Sequence, residues 1–528
     1  MKMQIENPRP PLLTLLSLFA VAVLGIACSH TDTIPQACTQ AEQTTSRLFL
    51  QQVTDNSAII KWRSEATFVC LGTDGKRLDR LVQAREEDGH KLAQVTDLRA
   101  DTLYYYGVGG AAGPGPKHFR TAPHPGQVPA DGNTHIWLLG DSGTATEQSR
   151  GQYTHPGEAL AVKQGFLDYN RKQADNEPLD LLILLGDNAY LEGTDAQWQG
   201  AFFDIYPDII SGTATWPTIG NHEMGAAPID ICLLIELPAC RKSPVVMPLG
   251  GVSESSDPAS YDSDGKGPDG SGPPYLDIFT LPGQGEAGGV ASGTEQYYAF
   301  DHANVHIVSL DSQLSNRDPA QRAAMRDWLV DDLSQNRLDW TIVIFHHPPY
   351  SKGENHDSDM EQAEIDMRQT FAPVFENHGV DIVYSGHAHS YERSWYLHGH
   401  HGMSDSFDAR EHTALNRRGE PALGQGDEPY TQVSASSGSD DRAVYTVAGS
   451  AGKANSEKPC PEGRMFGCTL PDWLMHPAHR KFNGGIPGAR PHGLARRGSV
   501  VLDATEKTLT SRFVDEHGEV LDYFVITR

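Results

Sequence analysis

THIWLLGDSG (Thr134–Gly143) is where the character of this chain changes. Six residues rich in aliphatic and aromatic side chains run into a glycine and deliver an aspartate one position later. A short apolar run bounded by turn residues reads as a buried strand. The same design returns in LDLLILLGDNAY (Leu179–Tyr190), WPTIGNHE (Trp216–Glu223), NVHIVSLD (Asn304–Asp311), WTIVIFHH (Trp340–His347) and VDIVYSGH (Val380–His387). Between these runs the spacing predicts amphipathic helices over 158–174, 196–210, 319–335 and 361–377. In the third, Ala323, Trp328, Leu329 and Leu333 share one face. Strands alternating with helices give an α/β layered fold. In open α/β sheets ligands gather at the carboxyl ends of strands, and here most strands end in a chemically capable side chain.

Upstream of Thr134 the pattern is all-β. Leu48, Leu50 and Val53, then AIIKW (Ala58–Trp62), LAQVTDL (Leu92–Leu98) and TLYYYGVGG (Thr102–Gly110) read as short strands of a sandwich over 46–122. PHPGQVPADG (Pro123–Gly132) reads as a linker, and polar residues 29–45 read as a tether. The catalytic region is expected over 134–528, with Gly/Pro/Asp-rich insertions near 243–293 and 399–440. DSDGKGPDG (Asp262–Gly270) does not fit the register of a calcium loop, and HGHH (His398–His401) reads as solvated loop. The C-terminal SVVLDA, TLTSRFVD and VLDYFVI return to β.

Composition narrows the function classes. The chain has 528 residues and a net charge of 42 − 69 = −27, so a general affinity for nucleic acid is not expected. Lys2 and Arg9 precede a 16-residue apolar run, Leu12–Ala27, too short for a membrane span and typical of a secretory signal over 1–28. Leu24–Ala27 before Cys28 resembles a bacterial lipoprotein box, with Gly25 a departure. The alternative is ordinary cleavage near Ala27 that leaves a free thiol. The chain is therefore expected to be exported, as a periplasmic or cell-surface bacterial lipoprotein or else secreted. A lipid on Cys28 would be its membrane attachment. Six further cysteines suggest disulfides Cys232–Cys240, Cys460–Cys468 and Cys38–Cys70. Oligomeric state has no sequence signal.

Five motifs carry the chemistry: GDSG (Gly140–Gly143), GDNAY (Gly186–Tyr190), GNHE (Gly220–Glu223), VIFHH (Val343–His347) and GHAH (Gly386–His389). Each alone is weak. Together, ordered and at strand ends, they gather oxygen and nitrogen donors suited to Fe, Zn or Mn. A carboxylate can bridge two cations, and paired cations can clamp a phosphoryl displacement.

This set resembles the calcineurin-like metallophosphoesterases and, within them, the purple acid phosphatases. Asp141 is followed by Ser142 and Gly143, where most of the superfamily has a histidine ligand at the Gly position, and Tyr190 supplies a phenolate instead. GHAHSYERS (Gly386–Ser394) and HHPPYSKG (His346–Gly353) also look like this group. The N-terminal sandwich resembles the fibronectin III-like module of plant-type members. The resemblance implies a four-layer α/β/β/α sandwich behind that module. It implies a binuclear centre of Fe(III) plus Fe(II), Zn(II) or Mn(II). Asp141, Asp187, Tyr190 and His389 would hold one metal, and Asn221, His346 and His387 the other, with Asp187 bridging. His222 and His356 would contact phosphate or assist the leaving group, and Glu223 would orient His222. His347 is read as a packing neighbour. The activity implied is hydrolysis of phosphate monoesters, by attack of a metal-bound hydroxide, on small phosphorylated substrates. The runner-up is a phosphodiesterase or nucleotide hydrolase of the same superfamily. A non-catalytic surface binding protein is a third reading, disfavoured by the intact ligand set. A serine hydrolase has no GxSxG elbow between a strand and a helix to support it.

Overall fold

A computed structural model describes residues 34–111, 116–143, 158–173, 177–190, 193–224, 229–230, 246–247, 273–353, 356–432, 442–454, 473–482 and 493–528. Cys28, the signal run, the Asp262–Gly270 stretch and the expected Cys232–Cys240 and Cys460–Cys468 pairs lie outside the described residues. Among the described residues no helix is long and apolar enough to cross a membrane.

Eight strands open the chain: β1 Ser46–Gln51, β2 Ala58–Arg63, β3 Phe68–Gly72, β4 Arg80–Gln83, β5 Arg85–Glu87, β6 His90–Val95, β7 Leu103–Val108 and β8 Lys117–Arg120. One sheet has the order β4-β3-β7-β8, and β1, β2, β6 and β5 form a second. Trp62, Val69, Leu71, Tyr106 and Phe119 are buried in one cluster with the rest of the main core.

Two features differ from the sequence reading. Residues 34–45, read as part of a tether, are joined to the sandwich. Residues 36–39 form a helical turn, the Gln43 amide donates to the Val108 carbonyl (2.9 Å), and a Cys38–Cys70 disulfide anchors the turn across 32 residues. Closing a loop of that length contributes about 3–4 kcal/mol in the chain-entropy account. Nor is the sandwich a free-standing domain. Its strand β1 pairs in parallel with β11 (Ala214–Pro217), Leu50 opposite Ala214. The strand pattern alone gives no sign of this join, because an edge strand reads the same with or without a neighbour.

The α/β layers continue from β9 (Thr134–Leu139) and β10 (Leu181–Leu184) to a small β12–β13 pair (Ile229–Asp230, Val246–Met247). Then come β14 (Tyr298–His302), β15 (Val305–Ser309), β16 (Trp340–Ile344), β17 (Ile382–Ser385), β18 (Tyr391–Leu397), β19 (Tyr430–Thr431) and β20 (Ala443–Ala448). The last are β21 (Gly493–Leu494), β22 (Gly498–Ala504), β23 (Thr508–Asp515) and β24 (Val520–Thr527). An 11-stranded sheet runs β19-β24-β23-β22-β9-β10-β11-β1-β2-β6-β5, and a 7-stranded one β14-β15-β16-β17-β20-β18-β21.

Alternation along each central strand explains the layers, since successive side chains point to opposite faces. In β16 and β17, Ile342, Ile344, Ile382 and Tyr384 enter the core between the two sheets. Val343, Phe345 and Val383 face the outer helices with Met325, Trp328, Leu329 and Phe375. Trp216 stacks on Phe300 across the sheets with ring centroids 3.8 Å apart. On the far side Trp137 stacks on Phe166 of the helix Glu158–Gln173, 4.1 Å away. The result is the expected α/β/β/α sandwich.

Helix Pro319–Gln335 stands where the sequence places it, capped by Asp318, which accepts the amides of Ala320 and Gln321 at 2.9 Å. The helices expected over 196–210 and 361–377 are each broken by a wide turn, at Gln199–Phe203 and Met367–Phe371. The described ends of the two insertions are packed. Tyr275 donates to the Pro217 carbonyl at the end of β11 (3.1 Å). Glu376 accepts the Gly399 amide (2.8 Å) and lies 3.1 Å from the His401 imidazole, while His400 is buried against Tyr350 and Phe407. Within HGHH, then, His400 is packed, His398 and His401 are partly open and Gly399 is exposed.

Candidate metal centre

The strand ends converge. Directly after Gly140 and Gly186, Asp141 and Asp187 adopt left-handed backbone with φ of 55° and 53°, and His387 does so at 70°. These turns aim the side chains over the strand ends instead of along them. The motif glycines leave room for that. A Cβ on Gly220 would lie 2.3 Å from the Asp187 carboxylate, and one on Gly386 would lie 2.5 Å from that of Asp141.

One group of donors forms around Tyr190. Its hydroxyl lies 3.0 Å from Asp141 Oδ1, 3.1 Å from Asp187 Oδ2 and 3.0 Å from His389 Nε2. A second forms around Asn221, whose Oδ1 is 3.0 Å from both His346 Nε2 and His387 Nδ1. Asp187 Oδ2 lies 3.2 Å from His346 Nε2, so this one carboxylate serves both groups. All seven expected ligands are therefore brought together.

The donor set fits cations. His346 commits Nδ1 to the Leu185 carbonyl at 2.9 Å, and His387 commits Nε2 to Glu361 at 2.9 Å. Their remaining ring nitrogens then carry lone pairs, and both face the Asn221 oxygen. Three acceptors so placed repel unless a positive charge, a bound cation or a proton in its stead, sits among them. Without one, the electrostatics are strained. Burial, with Asp187 beside it, pushes the Asp141 carboxyl well above its usual range. Burial and the two carboxylates hold the Tyr190 phenol up as well. Burial works against charge on His346, but Asp187 and Asp141 outweigh it and lift the ring to about 10. Burial first and the Lys453 charge second hold His389 well below its usual value.

The flanking residues divide. His222 is partly open, with its ring 4.4 Å from that of Tyr190 and its Nε2 3.8 Å from Asp187 Oδ2. His356 is half-buried, its ring 3.7 Å from that of His387. His347 is buried, with Nδ1 2.9 Å from the Ser312 hydroxyl, in keeping with a packing role. Glu223, expected to orient His222, has a further set of partners. Its carboxylate accepts the backbone amides of Asp187 (2.7 Å), Asn188 (2.7 Å) and Gly220 (2.8 Å). It therefore ties two ligand loops together, because a buried carboxylate takes the nearest unpaired donors.

Glu361 is the residue that sequence reasoning missed. It joins His387 Nε2 (2.9 Å) and His356 Nδ1 (2.7 Å) through separate oxygens. Burial opposes its charge, yet the two imidazoles keep it well below the usual carboxylate range. A carboxylate behind a ligating imidazole fixes its tautomer and raises its basicity. Glu361→Gln is expected to weaken metal binding at the Asn221 group about 10–100-fold, read by titrating metal into the stripped protein. Unchanged affinity would leave Glu361 as a support for His356 alone.

Residues 134–391 match the calcineurin-like phosphoesterase family. They form a calcineurin-like phosphoesterase domain. Among relatives, this domain and its surroundings are 25% identical over 304 residues to purple acid phosphatase 18 of Arabidopsis thaliana, covering 57% of this chain and 52% of that protein. Purple acid phosphatase 21 of the same plant is 32% identical over 304 residues, with 57% and 52% covered. The chain spans about half the length of these curated relatives. The structure of a purple acid phosphatase from yellow lupin (Lupinus luteus) seeds shares the fold. Its TM-score is 0.59 at 17% identity, with 92% of this chain and 74% of that one covered. The phosphoesterase domain thus has the mixed α/β architecture expected of it, with the β-rich region ahead of it.

Proposed function

We propose that the chain is an exported, metal-dependent acid phosphatase that hydrolyses phosphate monoesters. The observation that carries this reading is the pair of donor groups sharing Asp187, flanked by two partly open histidines. Asp141, Asp187, Tyr190 and His389 would hold one cation, and Asp187, Asn221, His346 and His387 the other, with iron in the first and Fe, Zn or Mn in the second. Bound cations supply charge to neutralise phosphate and lower the pKa of water.

The protein's own residues do the rest. Asp187 keeps its position through the His222 amide, 2.8 Å from its Oδ1. His222 stands beside the bridging carboxylate and is open enough to meet a substrate, so it can donate a proton to the leaving oxygen. His356, held at Nδ1 by Glu361, presents its other ring nitrogen to the phosphate. The apolar run before Cys28 and the Cys38–Cys70 disulfide support a location outside the cytoplasm. Cys28 is the residue a lipid anchor would use.

The test compares p-nitrophenyl phosphate with bis(p-nitrophenyl) phosphate from acidic to alkaline pH, using metal-loaded protein without the signal. Monoester preference with an acidic optimum is expected. Diester preference or an alkaline optimum would move the function to a phosphodiesterase. Turnover of neither, with metal bound, would overturn the enzyme reading in favour of a binding protein.

A further inference from the structure

Arg317 stands apart from the other cations around the centre. It closes the loop that follows β15, the strand beside the one that carries His346. That loop is rigid. Buried Asp311 accepts the amides of Gln313 (2.9 Å), Leu314 (2.7 Å) and Ser315 (2.9 Å). Ser312 holds His347, and Asn316 donates to the Ala363 carbonyl (3.1 Å), tying the loop to the segment that begins with Glu361. The Arg317 amide itself donates to the Leu314 carbonyl at 3.0 Å.

The side chain emerges from this frame exposed to solvent. Its one side-chain partner is neutral, the Gln313 amide oxygen at 2.9 Å. The nearest acid in sequence, Asp318, is spent on capping the helix Pro319–Gln335. Nearby cations are paired with carboxylates, Arg322 with Asp366 and Lys352 with Asp357. Among the described residues Arg317 makes no ion pair. It is nevertheless beside the centre. Ser312 of the same loop reaches His347, whose ring lies 5.0 Å from that of His346 and 4.4 Å from that of His387. Asp311 and Glu361 are the acids whose charge reaches Arg317, and both are committed elsewhere, Asp311 to backbone amides and Glu361 to His387 and His356. In a chain of net charge −27, a guanidinium pre-positioned without a contacting carboxylate is an unusual use of a cation.

We propose that Arg317 determines specificity: it receives a second anionic group, carried by the leaving group of the phosphate ester. The preferred substrates are then multiply anionic phosphomonoesters, such as phosphorylated carboxylic acids. This rests on the phosphomonoesterase reading above. Gln313 orients the guanidinium fork, so little side-chain freedom is lost when a planar carboxylate docks.

The test uses phenyl phosphate and 4-carboxyphenyl phosphate, which differ in one remote carboxylate. The readout is the ratio of kcat/KM for the charged ester to that for the uncharged one. The wild type should prefer the charged ester, and Arg317→Gln should lower the ratio about 10–100-fold, as expected for loss of a charge-assisted hydrogen bond. Arg317→Lys should restore part of it. Calorimetry with benzylphosphonate and 4-carboxybenzylphosphonate, on protein of equal metal content, should give the same loss without turnover. No wild-type preference, or an equal fall for both esters, overturns the proposal and makes Arg317 a ligand of the scissile phosphate or a support of the loop. If wild-type protein turns over neither ester and binds neither phosphonate, the phosphomonoesterase reading itself fails and takes this inference with it.

Discussion

Asp187→Asn is expected to leave the protein with fewer than two bound metal ions and to cut turnover about a thousandfold or more. Asp187 is the carboxylate that faces both donor groups. Its Oδ2 lies 3.1 Å from the Tyr190 hydroxyl and 3.2 Å from His346 Nε2. Burial opposes its charge, but His346 and His222 hold it well below the usual carboxylate range. An amide keeps one oxygen ligand and replaces the other with an NH2 group, which cannot bridge. The loss of charge also leaves two cations facing each other with less between them. A few kcal/mol of lost transition-state stabilisation corresponds to about three orders of magnitude. The variant should still fold. Asn is among the residues that best tolerate positive φ, and Asp187 sits at φ 53°. Elemental analysis of the purified variant, beside its rate on p-nitrophenyl phosphate, separates the effects. Full metal content with retained turnover would sink the bridging assignment.

The grouping of the expected donors was legible because they sit at fixed offsets from strand ends. Asp141, Asp187, Asn221, His346, His387 and His389 all follow apolar runs, so chain order and strand order together specify them. Glu361 has no such offset. It precedes a short helix, Gln362–Asp366, and reaches His387 only through the fold. Its one sequence cue is the placement of an acid five residues after His356, which many exposed loops share. The amides that Glu223 accepts were not legible, because proximity to His222 in sequence says nothing about which donors a buried carboxylate will meet. The same limit applies to β1. Its apolar pattern predicts a strand, whereas its partner β11 lies more than 150 residues away and is chosen by packing. Phe49 meets Phe203 at 5.1 Å, and Arg47 meets Asp195 at 2.7 Å. The helix interruption at Met367–Phe371 likewise has no glycine or proline to announce it, whereas Gly200 is a weak cue for the one at Gln199–Phe203.

The second large effect concerns stability. Asp522→Ala is expected to destabilise the fold by about 3–5 kcal/mol, the cost of stranding buried charge. Asp522 lies in β24 of the larger sheet, while Arg393 and Tyr391 lie in β18 of the smaller one. Its Oδ2 accepts from Arg393 Nε at 2.7 Å and from the Tyr391 hydroxyl at 2.9 Å. Its Oδ1 takes Gln425 Nε2 at 3.1 Å and pairs with Arg480. The Asp522 and Arg393 side chains are both fully buried, so no water can replace the lost partner. Arg393 would remain over the Phe524 ring, 5.0 Å from its centroid, with the Tyr430 hydroxyl and the Leu423 carbonyl as its other polar neighbours. The damage would not stop at the sheet boundary. β18 starts two residues after His389, so slack between the sheets loosens the turn that presents His387 and His389. Denaturant unfolding measures the first effect, and metal affinity the second. Arg393→Met in the Asp522→Ala background removes the stranded cation and should recover part of the loss, giving a double-mutant coupling of at least ~1 kcal/mol. A loss below that size for Asp522→Ala alone would mean that Arg393 finds other partners, and that the two sheets are held by their apolar faces rather than by this ion pair.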